Sequence, residues 1–313
     1  MTDIDVMNNS PPSPSGPLEY LRSALAVRLV SLTSGGNAPQ IDYLSPPGDP
    51  GLFGPGAVCW RVHGDFTSMM VGGISALLLQ CLHPLAMAGV WDHSNFREDV
   101  IGRLRRTATF IAGTTYGSRA DAEALLARVR RIHAGVRGTT TDGRPYAASD
   151  PALLTWVHVA EVSSFLHSYL RYADPTLPDS EQDRYYREVS LIATSLGALD
   201  VPTCRAEVAD YLLRMRGELR GDERTSEVVR VLRALPTPHP GTRWFGQLLF
   251  NAGVDLLPPW AAATLGLNDL ALLRQWVARP GVHAAAPVVR WALRNGVAKR
   301  ALRRANAPAA PSS

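Results

Sequence analysis

Lysine and cysteine are scarce in this chain of 313 residues, and their scarcity limits what the protein can be. Lys299 is the only lysine, and the net charge of +4 gives no strong case for nucleic-acid binding. The three cysteines, Cys59, Cys81 and Cys204, do not have the spacing of a zinc site. Their odd number, without a pairing pattern, is typical of a reducing compartment.

A secretion signal is also missing from the start of the chain. The first residues read MTDIDVMNNSPPSPSGP and contain no basic stretch followed by an apolar one. With the cysteine pattern, this predicts a cytoplasmic protein. Residues 1–16 are rich in Pro, Ser and Asn, so we expect a disordered tail there and a loose tail over residues 307–313. We expect the residues between the two tails, 17–306, to form one large domain.

Charge is absent from Thr67 to Trp91, a run long enough to raise the question of a membrane span. His83 and Pro84 lie in the middle of the run, and a proline removes one backbone hydrogen bond from a helix. We therefore expect a buried central helix that bends at Pro84, in preference to contact with a membrane.

Strand-like alternation is absent too, whereas helical spacing recurs along the chain. Asp150-Pro151 is a strong helix start, since it combines an N-cap residue with proline at the first helical position. The pattern predicts an all-α fold. The predicted helices cover residues 18–32, 61–90, 95–116, 118–138, 150–172, 180–196, 203–219, 225–235, 242–256, 268–278 and 287–305.

His133 is the first candidate for chemistry. It lies at the border of an apolar stripe formed by Leu125, Val129, Ile132 and Val136. That position suits a half-buried structural histidine, and it also suits a metal ligand, since a neutral imidazole nitrogen binds iron well.

Arg103, Arg106 and Thr107 share one side of the next candidate helix through their spacing of three and four residues. They can be solvated side chains, with Asp99 paired to Arg103. Alternatively, they form a fork of donors for carboxylates or for a bound oxygen species.

Four further groups leave alternatives open. His83 and His93 suit structural roles, and the spacing of His158 and Glu161 would also allow a non-haem iron or zinc site. The basic C-terminal helix complements the helix dipole or contacts an anionic surface. Its basic residues are Arg294, Lys299, Arg300, Arg303 and Arg304.

Several stretches, taken in order, resemble the family of the rubber oxygenases (latex clearing protein) and the fungal oxygenase MpaB. They lie within residues 61–197. The stretches are GGISALLLQCLHP, GVWDHSNF, RLRRTATF, YGSRADAEALLARVRRIHAGVRG, GRPYAASDPALLTWVH and YYREVSLIATSLG.

The resemblance implies a globin-like helical core that holds haem b, with His133 as the iron ligand and Arg103 as the anchor of a propionate. It places Arg106 and Thr107 on the distal side, where they would stabilise bound oxygen, with His93 as a further distal group. The family has a lysine at the position of Arg106, and arginine is a poor iron ligand because it stays protonated.

The resemblance thus implies a haem b-dependent oxygenase that oxidises or cleaves a C=C bond of an apolar small molecule, such as an isoprenoid, with O2. The missing distal lysine, and the lack of a carboxylate between Gln80 and Trp91, argue against polyisoprene itself. Two alternatives are a non-catalytic haem carrier or sensor and a non-haem iron oxidoreductase that uses His158 and Glu161.

Overall fold

The structure is a computed structural model that describes residues 16–33, 41–235, 243–269 and 271–308. Most of the two predicted tails, residues 1–15 and 309–313, lies outside the described residues. The described chain is almost entirely helical, and its sheet is one short hairpin. The predicted all-α fold is confirmed, while a globin-like core stays a prediction.

The helices follow one another with short connections. The first half contains α1 (Pro17–Thr33), α2 (Val58–Val62), α3 (Phe66–Gln80), α4 (Pro84–His93), α5 (Val100–Tyr116), α6 (Arg119–Gly135) and, after the hairpin strands β1 (Arg137–Thr139) and β2 (Pro145–Ala147), α7 (Pro151–Tyr172). The second half contains α8 (Asp179–Leu196), α9 (Arg205–Met215), α10 (Glu223–Arg233), α11 (Arg243–Leu256), α12 (Pro259–Thr264), α13 (Ala271–Leu273), a π-helical turn (Arg274–Ala278), α14 (Arg279–Ala292) and α15 (Val297–Asn306).

The pair α3 and α7 forms the centre of the molecule. Both helices are apolar, and Val71, Leu78 and Trp156 are fully buried between them and α11. Each helix begins at a capping aspartate, since the Asp65 carboxylate accepts from the Ser68 N–H and the Asp150 carboxylate from the Ala152 N–H. The predicted start and end of α7 are therefore confirmed.

The chain turns by 105° between α3 and α4, at the predicted position. Pro84 is the first residue of α4, where its missing N–H has no helical partner to lose. In the described chain no individual helix has the length and apolar character needed to cross a membrane, although the bent pair of α3 and α4 passes that test by composition.

Three sequence predictions about local structure are wrong. α5 begins at Val100 and not at Asn95, because the Asp99 carboxylate accepts the Gly102 N–H at 2.7 Å and caps the helix there. Pro287 lies inside α14 and does not start a helix. The segment around Gly138 forms an antiparallel hairpin, in which Gly138 pairs with Tyr146.

Gly72 and Gly73 provide a matched test of the central contact. A Cβ at Gly72 would lie 3.0 Å from the Ser164 carbonyl oxygen and 3.1 Å from the Cα of Phe165, whereas a Cβ at Gly73 would meet only a Phe165 ring atom at 4.0 Å. We expect Gly72→Ala to lower the free energy of unfolding by about 1–3 kcal/mol, because α3 and α7 must separate. Gly73→Ala should be neutral or stabilise by up to about 1 kcal/mol through helix propensity.

Urea unfolding of both variants, followed by circular dichroism, measures this difference. Equal stabilities for the two variants would contradict the close approach of α3 to α7.

Candidate functional site

A cavity of about 320 Å³ lies among several elements of the first half of the chain and α10. Its walls are formed by α4, α5, α6, α10 and the hairpin, together with the end of α3 and the start of α7. Its walls are mostly aliphatic, and Asp and Glu are absent from the residues that line it. The polar lining side chains are those of Gln80, His93, Ser94, Arg103, His133 and Tyr146. A mostly apolar pocket with a few convergent polar groups is the usual form of a small-molecule site.

His133 lies near the end of α6 and lines this cavity. Burial lowers the pKa of its imidazole, so the ring is neutral at physiological pH. Its Nδ1 is buried and has no hydrogen-bond partner among the described residues. The predicted stripe around it is only partly right, because Leu125 is buried whereas Ile132, which also lines the cavity, is 53% exposed.

Arg103 brings a positive charge to the same cavity. Its Nη1 donates to the Ser94 Oγ at 3.0 Å, and no carboxylate contacts it in the described part of the chain. Burial, with the nearby charge of Arg106, lowers the pKa of Arg103 to about 10. The guanidinium is still charged at neutral pH, so it is a cation in a desolvated place without an anion.

His93 and Tyr146 complete the polar side of the cavity. The Nε2 of His93 lies 3.1 Å from the Arg137 carbonyl oxygen, so that nitrogen carries a hydrogen and donates it. The Tyr146 hydroxyl donates to the Asp92 carboxylate at 2.5 Å. Burial and this bond raise the pKa of Tyr146 to about 12. Tyr146 was not among the predicted site residues, although it lies in the GRPYAASD stretch.

Arg106 and Thr107 do not line the cavity. Arg106 is exposed, and it contacts Asp99 at 3.5 Å and the Asn95 amide oxygen at 3.4 Å. Asp99 therefore pairs with Arg106 and not with Arg103. Thr107 is half-buried on the same helix. The structure brings together His133, Arg103 and His93, and it leaves the other two predicted residues outside.

His83 has a structural role. Its Nδ1 accepts from the Ala86 N–H at 3.5 Å at the start of α4, and its Nε2 lies 3.8 Å from the Glu218 carboxylate. It is buried, and burial lowers the pKa of its ring.

A second group of polar side chains is buried between α2, α5, α7 and α8. His63 lies 2.9 Å from the Thr115 hydroxyl through Nδ1 and 3.0 Å from the Tyr185 hydroxyl through Nε2. His158 is buried on α7, and its Nε2 has no partner among the described residues. Burial lowers the pKa of His63 to about 3 and that of His158 to about 4, and it raises the pKa of Glu161 to about 7.

These groups do not form a metal centre in the structure. Within the described ranges, no three His, Cys, Asp or Glu side chains are grouped so that they could hold a metal ion. The non-haem alternative built on His158 and Glu161 gains no support from the structure.

Comparison with known proteins gives one family match and two curated relatives. The family described as ER-bound oxygenase mpaB/B'/Rubber oxygenase, catalytic domain, matches residues 60–291. The chain is also 29% identical over 209 residues to "Uncharacterized protein Mb2261" of Mycobacterium bovis and to "Uncharacterized protein Rv2237" of Mycobacterium tuberculosis. Each alignment covers 59% of this chain and 82% of the relative. No solved structure matches the chain.

The raised pKa of Glu161 makes stability depend on pH. The folded state holds the proton up to about pH 7, whereas the unfolded carboxyl releases it near 4.5. The free energy of unfolding therefore falls as pH rises through this window. We expect Glu161→Gln to match the wild type at pH 4.5 and to exceed it at pH 8 by roughly 1–3 kcal/mol.

Urea unfolding at several pH values measures the difference between the two proteins. A difference that does not change with pH would contradict the neutral state of Glu161 in the folded protein.

Proposed function

The chain belongs to the family of the mpaB/rubber oxygenase catalytic domain, and on this basis we propose that it is a haem b-dependent oxygenase that acts with O2 on an apolar small molecule. The family match supports an oxygenase in general. The observation that carries the finer proposal is the meeting, in one apolar cavity, of an imidazole with an unpartnered nitrogen and a cation that contacts no carboxylate among the described residues. His133 and Arg103 are those two groups.

Haem b suits these residues in three respects. His133 offers a neutral ring and a buried nitrogen without a partner, as an iron ligand requires. Arg103 is a desolvated cation that lacks a carboxylate in the described chain, and a propionate would provide one. The aliphatic walls suit an apolar macrocycle, and the residues that would hold it are His133, Arg103 and the apolar lining.

Haem would supply the redox chemistry of O2 activation when bound, and the side chains of this chain would do the rest. The Arg137 carbonyl accepts from the Nε2 of His93 and would orient that ring at the wall of the cavity. Asp92 holds the Tyr146 hydroxyl in place. The aliphatic lining of α4, α7 and α10 would exclude water and favour an unsaturated hydrocarbon, with a C=C bond as the expected point of oxidation.

Arg106 and Thr107 do not contact the proposed ligand, because neither residue lines the cavity. They lie on α5, the helix that carries Arg103, and Arg106 fixes Asp99, the cap of that helix. The arrangement favours Arg103 and His93 as the polar groups nearest to a reaction in the cavity.

Substitution of His133 tests its assignment as the haem ligand. We expect purified wild-type protein supplied with haemin to give a Soret band and one haem b per chain in a pyridine haemochrome assay. His133→Ala should lose most of the bound haem, because the iron keeps no imidazole. His158→Ala is the matched control, since His158 is a buried histidine with an unpartnered nitrogen that does not line the cavity. Loss of haem from His158→Ala, with full retention by His133→Ala, would reverse the assignment.

Substitution of each of the two arginines tests which of them contacts the ligand. Arg103→Gln should raise the dissociation constant for haemin about tenfold to a hundredfold, as expected when a charge-assisted hydrogen bond is lost. Arg106→Gln should change it by less than about twofold, because an exposed ion pair contributes little. Spectroscopic titration with haemin measures both constants, and equal effects would place Arg106 at the ligand as well.

Oxygen uptake with a panel of prenylated and unsaturated lipids separates an enzyme from a carrier. The proposal expects uptake together with carbonyl or oxygenated products. A haem-loaded protein that consumes no O2 across the panel would be a carrier or sensor.

A further inference from the structure

The charge of this protein is distributed very unevenly along the chain. Residues 270–313 contain eight basic and no acidic residues, whereas residues 1–269 contain 24 basic and 28 acidic ones. The whole-chain charge of +4 therefore combines a slightly acidic body with a strongly basic C-terminal segment. Asymmetry of this kind is typical of proteins that contact an anionic surface.

The same segment carries an exposed apolar stripe. The π-helical turn Arg274–Ala278 runs directly into α14, and the side of this helix that faces away from the core is mostly apolar, with the exposed His283 as a polar residue within it. Its outward residues recur at helical spacing, and they are Trp276, Pro280, Ala284, Pro287, Val288 and Trp291. Trp276 is 78% exposed, Val288 51% and Trp291 38%, although the opposite side of the helix is buried at Val282 and Ala286. Tryptophan is costly to leave in water, so a stripe with two of them marks an interaction site.

Arginines border this stripe along its length. Arg279, Arg290 and Arg294 each follow a stripe residue by three positions, one helical turn away. They bind the carboxylates of Asp255, Asp65 and Glu19 respectively, yet their side chains remain 36%, 42% and 50% exposed. The ion pairs hold three guanidinium groups beside the stripe, and a guanidinium has five donors, more than these carboxylates occupy.

Helix α1 extends the apolar surface next to the end of α14. It is fastened there by the bond from Arg22 to the Ala292 carbonyl oxygen at 3.1 Å. Its exposed side chains include Leu18 at 73%, Tyr20 at 70% and Leu21 at 58%.

Two occupants fit an apolar stripe of this length, a second copy of the chain and a lipid surface. A symmetric contact between two copies would bring two basic segments against each other, which costs free energy. An anionic lipid surface complements the same charge, and exposed Trp and Tyr beside Arg are the composition found at membrane interfaces. We propose that the outward face of α14, with its preceding π-helical turn, docks the protein peripherally on membranes that contain anionic phospholipids.

This docking surface does not depend on the oxygenase proposal, since it lies outside the cavity and involves none of its residues. It differs from a membrane span because the stripe would enter only the headgroup region.

Vesicle co-sedimentation of the full chain tests the proposal. We expect binding to vesicles of phosphatidylcholine mixed with phosphatidylglycerol, weak binding to phosphatidylcholine alone, and release as salt concentration rises. The double variant Trp276→Ser with Trp291→Ser should bind the mixed vesicles at least about tenfold more weakly, because its stripe no longer partitions into the interface.

Leu213→Ser is the control. Leu213 is 62% exposed on α9, so the substitution also removes an exposed apolar side chain, but outside the basic segment. This variant should bind mixed vesicles as the wild type does. Circular dichroism and thermal unfolding check that each variant is folded, and this check matters most for the change at Trp291, which is only 38% exposed.

Three results would overturn the proposal. The first is failure of the wild type to bind mixed vesicles, and the second is equal binding by the wild type and the double tryptophan variant. The third is a wild-type dimer in analytical ultracentrifugation that is lost in the double tryptophan variant, together with no binding of the wild type to vesicles. That result would assign the stripe to a second copy of the chain.

Discussion

The backbones of α3 and α7 pack closely against each other at the centre of the molecule, and the main core is built around this pair. Gly72 lets the backbones of the two helices approach, since a Cβ there would lie 3.0 Å from the Ser164 carbonyl oxygen. The absence of charge from α3 follows from the same contact, because a charged side chain between two buried helices would lose its hydration without a partner. The end of α3 and the start of α7 then form adjoining walls of the candidate site, through residues such as Leu77 and Leu153.

The polar and the aliphatic side chains of the candidate site come from different elements. Aliphatic side chains of α4, α7 and α10 supply most of the surface, whereas α5, α6 and the hairpin bring in Arg103, His133 and Tyr146. A neutral imidazole and an uncompensated guanidinium in such a cavity cost free energy in the absence of a ligand. An apolar ligand with a metal and a carboxylate would remove both costs, which is the physical reason to connect this cavity with haem.

Much of this arrangement could be predicted from the sequence, and the failures have identifiable causes. The helical spacing and the capping signals at Asp150 and Ser118 are local, so the all-α fold and the ends of α7 follow from them, whereas the cap at Asp65 was missed because the predicted helix began at residue 61. The family was identified from motifs within residues 61–197, and the match extends to residue 291. Helical spacing alone could not show that Arg103 enters the cavity while Arg106 turns outwards to Asp99, because the two residues share one side of α5. Which of the two arginines is buried depends on the tertiary packing around each turn of α5.

The proposed haem site, with His133 as the iron ligand, can be examined in a crystal structure of the protein grown with haemin, with anomalous scattering measured at the iron edge. We expect one iron peak per chain, in the cavity between α4, α5 and α6 and within coordination distance of a His133 ring nitrogen. An iron peak beside His158, or haem bound only at the protein surface, would contradict this assignment.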